Sequence, residues 1–254
     1  MTAASRFGSF AFSQPVRLRL FCFPHAGGGA ALYYTWRRDL PAEIGVCPIH
    51  LPGRENRIDD APFADLPTLI AALADALLPA LDLPFSFFGH SMGSLVGLEL
   101  ARELRRRSAP LPVHLFVAAR RAPQVPETAA PMHVLADPEF VAEVCRRYNG
   151  IPAAVLADPE LMRLFLPSLR ADVKLLETHV YRPEPPLPCA ISAFAATEDR
   201  VVGQEGVAAW REHASGRFTL RVIEGEHFFL TSARSLVLSA VAEDLRPYLG
   251  RERP

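Results

Sequence analysis

The pentapeptide Gly89-His90-Ser91-Met92-Gly93 sets a serine between two glycines, directly after the apolar run Phe85-Ser86-Phe87-Phe88 and directly before a stretch with helical spacing. A strand that turns into a helix through G-x-S-x-G is the setting of a nucleophile elbow. The turn is too tight for side chains on both flanks, so the glycines are required and the serine is forced into a strained backbone that lifts its hydroxyl above a sheet. That chemistry is acyl transfer, and it needs a base. Of the eight histidines, His227 in Glu224-Gly225-Glu226-His227-Phe228-Phe229 follows the last expected strand, where the base falls in the chain order Ser, acid, His. His90, inside the elbow, is expected to point away from the serine and to bond locally. The acid must orient the imidazole and stabilise its charged form. The loop Arg120-Arg121-Ala122-Pro123-Gln124 contains no acid, whereas Thr197-Glu198-Asp199-Arg200 contains two. Asp199 is preferred, with Glu198 as its neighbouring alternative. An oxyanion needs two backbone donors. The Met92 amide is one, and the glycine-rich loop Pro24-His25-Ala26-Gly27-Gly28-Gly29 offers the Ala26 amide as the other. Losing one such donor typically slows catalysis by about 10²–10³. The glycine loop matches neither G-x-x-x-x-G-K-[ST] nor G-x-G-x-x-G, which argues against nucleotide binding.

The elements that must position these groups alternate. Strands are expected at Val16–Pro24, Val46–Leu51, Phe85–Phe88, Val113–Ala118, Ala190–Ala195 and Phe218–Ile223. Helices are expected at Ala30–Leu40, from Asp65 through Leu81, and at Ser91–Arg107, Gly206–His213 and Ser232–Leu249. Leu66, Leu69, Ile70, Leu73 and Leu77 make one apolar helix face. Strands alternating with helices give an α/β fold, a mainly parallel sheet flanked by helices. Residues 121–188 break the rhythm. They contain two helix starts of one type, Asp137-Pro138-Glu139 and Asp158-Pro159-Glu160, each read with Asp as N-cap and Pro at the first helical position. The proline-rich Pro183–Pro188 then leads back to the sheet. This helical insertion is expected to act as a lid over the carboxyl ends of the strands, within one domain of residues 1–254. Its apolar residues Phe140, Val144, Leu161, Phe165 and Leu169 are the candidates for lining an acyl chamber.

Composition narrows the classes. Half of the 254 residues are hydrophobic, 22% are charged, and the net charge is −1, which argues against a general nucleic-acid binder. No apolar run reaches the ~18–20 residues of a membrane span, and the N-terminus has no secretory pattern. Cys22, Cys47, Cys145 and Cys189 lie far apart without a C-x-x-C. They read as free thiols in a reducing, cytoplasmic setting, not as a metal site.

Together these segments resemble the type II, discrete thioesterases that accompany polyketide synthases and nonribosomal peptide synthetases, within the α/β-hydrolase superfamily. The resemblance runs from about Leu20 to Leu249. It rests on Phe23-Pro24-His25-Ala26-Gly27-Gly28, Leu51-Pro52-Gly53-Arg54, Phe88–Gly93, Arg120-Arg121-Ala122-Pro123, Leu166-Pro167-Ser168-Leu169-Arg170-Ala171-Asp172 and Gly225–Phe229. It implies a hydrolase that removes acyl groups from the phosphopantetheine arm of acyl or peptidyl carrier proteins, clearing stalled or aberrant units. It also implies Ser91 as nucleophile, Asp199 as acid, His227 as base, and the Ala26 and Met92 amides as oxyanion hole. No cofactor or metal is expected, and the protein is expected to be a monomer. The family often has Gly before the acid where this chain has Ala195-Ala196. Integrated, chain-releasing relatives place the acid after the earlier strand, so the acid-free Arg120–Gln124 loop favours the discrete type. Carrier proteins are acidic as a class, so Arg105-Arg106-Arg107 or Arg120-Arg121 are candidate docking residues. A general esterase or lipase, and a non-catalytic binding protein on the same fold, are the rival readings.

Overall fold

The computed structural model describes residues 6–8, 10, 12 and 14–250. Six strands form one sheet: β1 (Leu18–Phe23), β2 (Ile44–Pro48), β3 (Phe85–His90), β4 (His114–Ala118), β5 (Ala190–Ala196) and β6 (Phe218–Ile223). Their spatial order is β2-β1-β3-β4-β5-β6, and every neighbouring pair is parallel. A parallel sheet covered on both faces needs strands apolar on both faces, and β1 shows how the sequence supplies them. Phe21 and Phe23 pack with Phe85, Phe87, Leu115 and Ile191 on one side. The alternate residues Leu20 and Cys22 pack with Val46, Phe88, Phe116 and Phe194 on the other.

The first side is covered by α2 (Leu66–Leu77) and α3 (Met92–Arg106). Asp65 caps α2 by accepting from the Thr68 amide at 2.8 Å, and Leu66, Leu69, Ile70, Leu73 and Leu77 are all buried, as their spacing predicts. The second side is covered by the short α1 (Ala31–Tyr34), with Trp36 after it, and by α9 (Arg234–Leu249). The helix expected over Ala30–Leu40 is therefore shorter: α1 passes at once into a 3-10 turn, Thr35–Arg38.

Between β4 and β5 lie α4 (Asp137–Tyr148), α5 (Ala153–Ala157) and α6 (Pro159–Glu177). They share a small core of Met132, Phe140, Val144, Ile151, Leu169 and Val173. The two Asp-Pro-Glu starts differ. Asp158 is an N-cap, accepting from the Glu160 and Leu161 amides at 2.8 and 3.2 Å. Asp137 is the first helical residue behind Ala136 and makes no cap; its carboxylate is drawn instead to Arg170 of α6 at 2.6 Å, since a charge-assisted bond to a guanidinium outcompetes a neutral amide. After β5 come α7 (Gln204–Ala208) and the 3-10 turn Ala209–His213; α8 (Phe229–Ser232) follows β6. No helix of the described residues is long and apolar enough to cross a membrane.

β1 leads outward to β2, whereas its other neighbour β3 leads toward β4. The carboxyl ends of β1 and β3 thus flank the point where strand order reverses, which is where open α/β sheets form their crevice.

Candidate active site

The loops that leave β1 and β3 at this crevice are those containing Ala26 and Ser91. Phe23 pairs with Gly89 in the β1–β3 ladder, and His90 pairs with Ala118 in the next. Beyond that register the chain must reverse within one residue. Ser91 does so at φ 52°, ψ −110°, a region that costs a non-glycine residue of order 1–3 kcal/mol. The turn is pinned by the Ser91 amide donating to the Ala118 carbonyl at 2.8 Å and by the Ser94 hydroxyl donating to the Gly89 carbonyl at 2.8 Å. A Cβ on Gly89 would sit 2.1 Å from the Gly93 backbone, and one on Gly93 would sit 2.1 Å from the Phe23 carbonyl oxygen. Both glycines are therefore demanded by the close approach of α3 to β1 and β3.

The structure brings Ser91, His227 and Asp199 together. His227 Nε2 lies 3.2 Å from Ser91 Oγ, and His227 Nδ1 lies 2.7 Å from Asp199 Oδ2. A carboxylate only accepts, so Nδ1 holds the ring proton and Nε2 presents its lone pair to the serine hydroxyl. The other Asp199 oxygen accepts from the Val201 and Val202 amides at 2.9 and 3.0 Å. Burial alone would push the Asp199 carboxyl up. The His227 hydrogen bond and charge, with the two amides, outweigh it and hold the group below its ordinary value. Glu198 is exposed, and its backbone amide donates to the Gly225 carbonyl at 2.8 Å. Of the two acids, Asp199 is the one set against the His227 ring.

His90 turns away from the serine and donates from Nε2 to the His227 carbonyl at 2.9 Å, fixing the backbone of the His227 loop. His25 packs edge-on against His90 and Phe228, with ring centroids at 5.5 and 4.9 Å. Burial, followed by the charges of His227 and Arg54, pushes His25 down to about 4. Burial, with His25 and His227 beside it, holds His90 well below its ordinary value. Both rings are neutral near pH 7.

Ser91 and His227 open into a cavity of about 300 Å³. Val144 and Leu169 line it, with Met132, Tyr148, Val173 and Leu176. The other three chamber candidates lie elsewhere. Phe140 is fully buried beneath the Arg170 guanidinium, 4.2 Å above its ring. Leu161 is 43% exposed. Phe165 faces the glycine loop, so close that a Cβ on Gly27 would sit 2.8 Å from its ring. Helical periodicity marks an apolar stripe but not which part of it faces a neighbouring helix and which a void.

Sequence reasoning missed Tyr148, whose ring centroid is 5.2 Å from that of His227, and the inward course of Arg120, which lines the cavity. Arg121 is also turned inward, donating to the Val201 carbonyl at 2.8 Å and pairing with Glu127 at 3.3 Å. The other arginine group is likewise engaged: Arg105 and Arg106 hold Glu184 at 2.6 and 2.8 Å, and Arg107 holds Glu103 at 2.6 Å and Asp75 at 2.5 Å. Glu184, Asp75 and the Val201 carbonyl, remote in sequence, supply partners that a reading of consecutive residues does not see.

The family model described as "Thioesterase domain" matches residues 18–248. The chain is 42% identical over 234 residues to the gramicidin S biosynthesis protein GrsT of Aneurinibacillus migulanus, covering 92% of this chain and 91% of that one. Among solved structures it is similar to the RedJ thioesterase from the prodiginine biosynthetic pathway in Streptomyces coelicolor, with a TM-score of 0.85, 38% identity and coverage of 93% and 96% of the two chains. It is also similar to the type II thioesterase BorB from the borrelidin biosynthetic cluster, with a TM-score of 0.81, 35% identity and coverage of 93% and 95%. The match spans the whole sheet, the elbow and the segment between β4 and β5, and the chain belongs to the thioesterase domain family.

Proposed function

We propose that this protein is a type II thioesterase: it hydrolyses acyl groups from the phosphopantetheine arm of acyl or peptidyl carrier proteins and so clears stalled or aberrant units from polyketide or nonribosomal peptide assembly. The observation that carries the reading is the hydrogen-bonded series from Asp199 through His227 to Ser91 at the wall of an apolar-lined cavity. Relatives named for gramicidin, prodiginine and borrelidin biosynthesis support the pathway class.

In this reading His227 Nε2 takes the Ser91 proton as Oγ bonds to the thioester carbonyl carbon. The carbonyl electron pair moves onto oxygen, where the Ala26 and Met92 amides receive it. Collapse of that intermediate breaks the carbon–sulfur bond, and the imidazolium returns its proton to the leaving thiol. Water, deprotonated by the same nitrogen, then adds to the acyl carbon; the bond from that carbon to Oγ breaks, the imidazolium returns its proton to Ser91 Oγ, and the carboxylic acid leaves. Asp199 remains a carboxylate throughout and stabilises the imidazolium. Each proton and electron pair is handled by the chain's own groups, so no cofactor enters. Helices α4–α6 act as the lid, one chain supplies the full triad as a monomer, and the enzyme works in the cytoplasm beside its carrier proteins.

The test is hydrolysis of a panel of acyl units loaded on one carrier protein, with matched oxygen esters alongside. Release by wild type and not by Ser91→Ala, with the carrier-bound thioester preferred, is the expected result. Equal release by the variant would refute the serine mechanism, and preference for free oxygen esters would favour a general esterase.

A further inference from the structure

Arg54 and Asp172 lie outside the triad, yet they make the most enclosed ion pair near it. Asp172 sits on α6, and Arg54 follows β2. Arg54 is 6% exposed and Asp172 is 3% exposed. The pairing is bidentate: Nη1 to Oδ2 at 2.6 Å and Nη2 to Oδ1 at 2.9 Å. Each partner also reaches the glycine loop. The Gly27 amide donates to Asp172 Oδ2 at 2.8 Å, and Arg54 Nη1 donates to the Gly28 carbonyl at 3.0 Å. The next residue, Glu55, accepts from the Ala30 and Ala31 amides at 3.0 and 2.8 Å, which holds the loop's far end.

A buried ion pair is weak grounds for stability, because desolvation offsets much of the attraction. Its placement here points to another role. Gly27 has φ 74°, a conformation glycine enters and leaves easily. Holding its N–H fixes the Ala26–Gly27 peptide plane; the Ala26 N–H lies in the preceding His25–Ala26 plane, whose carbonyl accepts from the Gly28 amide at 2.9 Å, so both planes are held in one turn. The bare carboxylate would oppose a developing oxyanion nearby, and the guanidinium neutralises it. On α6, Leu169 and Leu176 lie three and four positions from Asp172, at helical spacing, and both line the cavity. The helix that meets the acyl chain therefore also grips the oxyanion loop.

We propose that Asp172 and Arg54 are positioning residues: they clamp the His25–Gly29 loop to α6, so that the oxyanion hole is complete only while α6 is seated on the core. This rests on the serine thioesterase reading above.

The test compares wild type with Asp172→Asn and with the double variant Arg54→Met/Asp172→Leu, each shown to be folded by near-UV circular dichroism at the assay temperature. The double variant removes both charges, so it relieves the unpaired-charge problem of the single one while still leaving Gly27 without its acceptor. Expected for both is a kcat 10- to 100-fold lower with KM changed less than threefold. Affinity for an alkyl boronic acid, whose Ser91 adduct places an oxyanion in the hole, should fall by a similar factor. Affinity for an inert acyl-pantetheine amide should hold. A folded variant of either kind that keeps kcat and boronate affinity within threefold of wild type, or whose loss lies in KM alone, would overturn the clamp. Failure of wild type itself to hydrolyse thioesters or to take a fluorophosphonate label at Ser91 would instead overturn the underlying reading.

Discussion

At the residue scale, the site depends on one proton being held on the right nitrogen. Asp199 accepts from His227 Nδ1 at 2.7 Å and is itself held by the Val201 and Val202 amides. Asn in its place can present an NH₂ to Nδ1 and stabilise the other tautomer, which turns an N–H toward Ser91 and removes the base. Asp199→Asn is therefore expected to lower kcat by about 10³–10⁴ with little change in KM. Steady-state kinetics on a carrier-bound acyl thioester checks this, and a loss under tenfold would show that the carboxylate does not set the tautomer. Ser91, His227 and Asp199 were legible in the sequence because each sits in a loop directly after a strand, where local pattern and chain order agree. Tyr148 and the inward Arg120 were not, because no local pattern says which side chains of a separate segment face the cavity.

At the element scale, the elbow holds α3 against β1 and β3 so closely that Gly89 and Gly93 have no room for a Cβ. Gly93→Ala would drive a Cβ against the Phe23 carbonyl oxygen, and backbone cannot yield as a flexible side chain does. Overpacking of about 3 kcal/mol or more corresponds to a fall in Tm of roughly 10 °C for a chain of this size. Thermal unfolding measures it, and a variant that melts with wild type would contradict the packing described. Helix α4 sets a different limit. Val144 is nearly buried and lines the cavity, so Val144→Trp should fill the space there. The expected outcome is a fall of about tenfold or more in kcat/KM for medium-chain acyl units, with acetyl turnover retained. A uniform loss across chain lengths would move the acyl path elsewhere. The two Asp-Pro-Glu helix starts carry a related lesson. Identical tripeptides behave differently because Arg170 of α6 lies within reach of one carboxylate and not of the other.

At the scale of the whole molecule, several histidines are folded away as neutral rings. His25 is pushed down to about 4, and His90 lies well below its ordinary value. Burial, offset in part by Asp244, takes His114 to about 4, and burial followed by Arg102 takes His213 to about 4. A histidine with a depressed folded value contributes stability above its unfolded value of about 6.5 and loses it as pH falls toward the folded one. Within that window each such ring lets the unfolded chain bind a proton that the folded one does not, so each lowers stability as pH falls. Stability measured by urea unfolding is thus expected to drop steeply between pH 6.5 and 4, before the triad carboxylate titrates. A flat profile over that range would mean that these rings are not neutral in the folded protein. The buried thiols add nothing near neutrality, since burial pushes Cys47 and Cys189 up to about 12.

The sequence by itself determined what depends on neighbours along the chain. That includes the alternation of strands with helices that makes the sheet parallel, the glycines that permit the elbow, and the chain order Ser91, Asp199, His227 in loops after β3, β5 and β6. Only the tertiary structure decided what depends on separate segments meeting. It set Asp199 rather than Glu198 against His227, sent Phe140 into a core and Val144 to the cavity wall, and paired Arg105, Arg106 and Arg107 with carboxylates. It also joined Arg54 to Asp172, 118 positions away in the chain. The physical reason is range. Backbone propensity and periodicity act over a few residues, whereas burial, ion pairing and the shape of a cavity are settled by whichever groups the packed sheet and helices bring within a few ångströms.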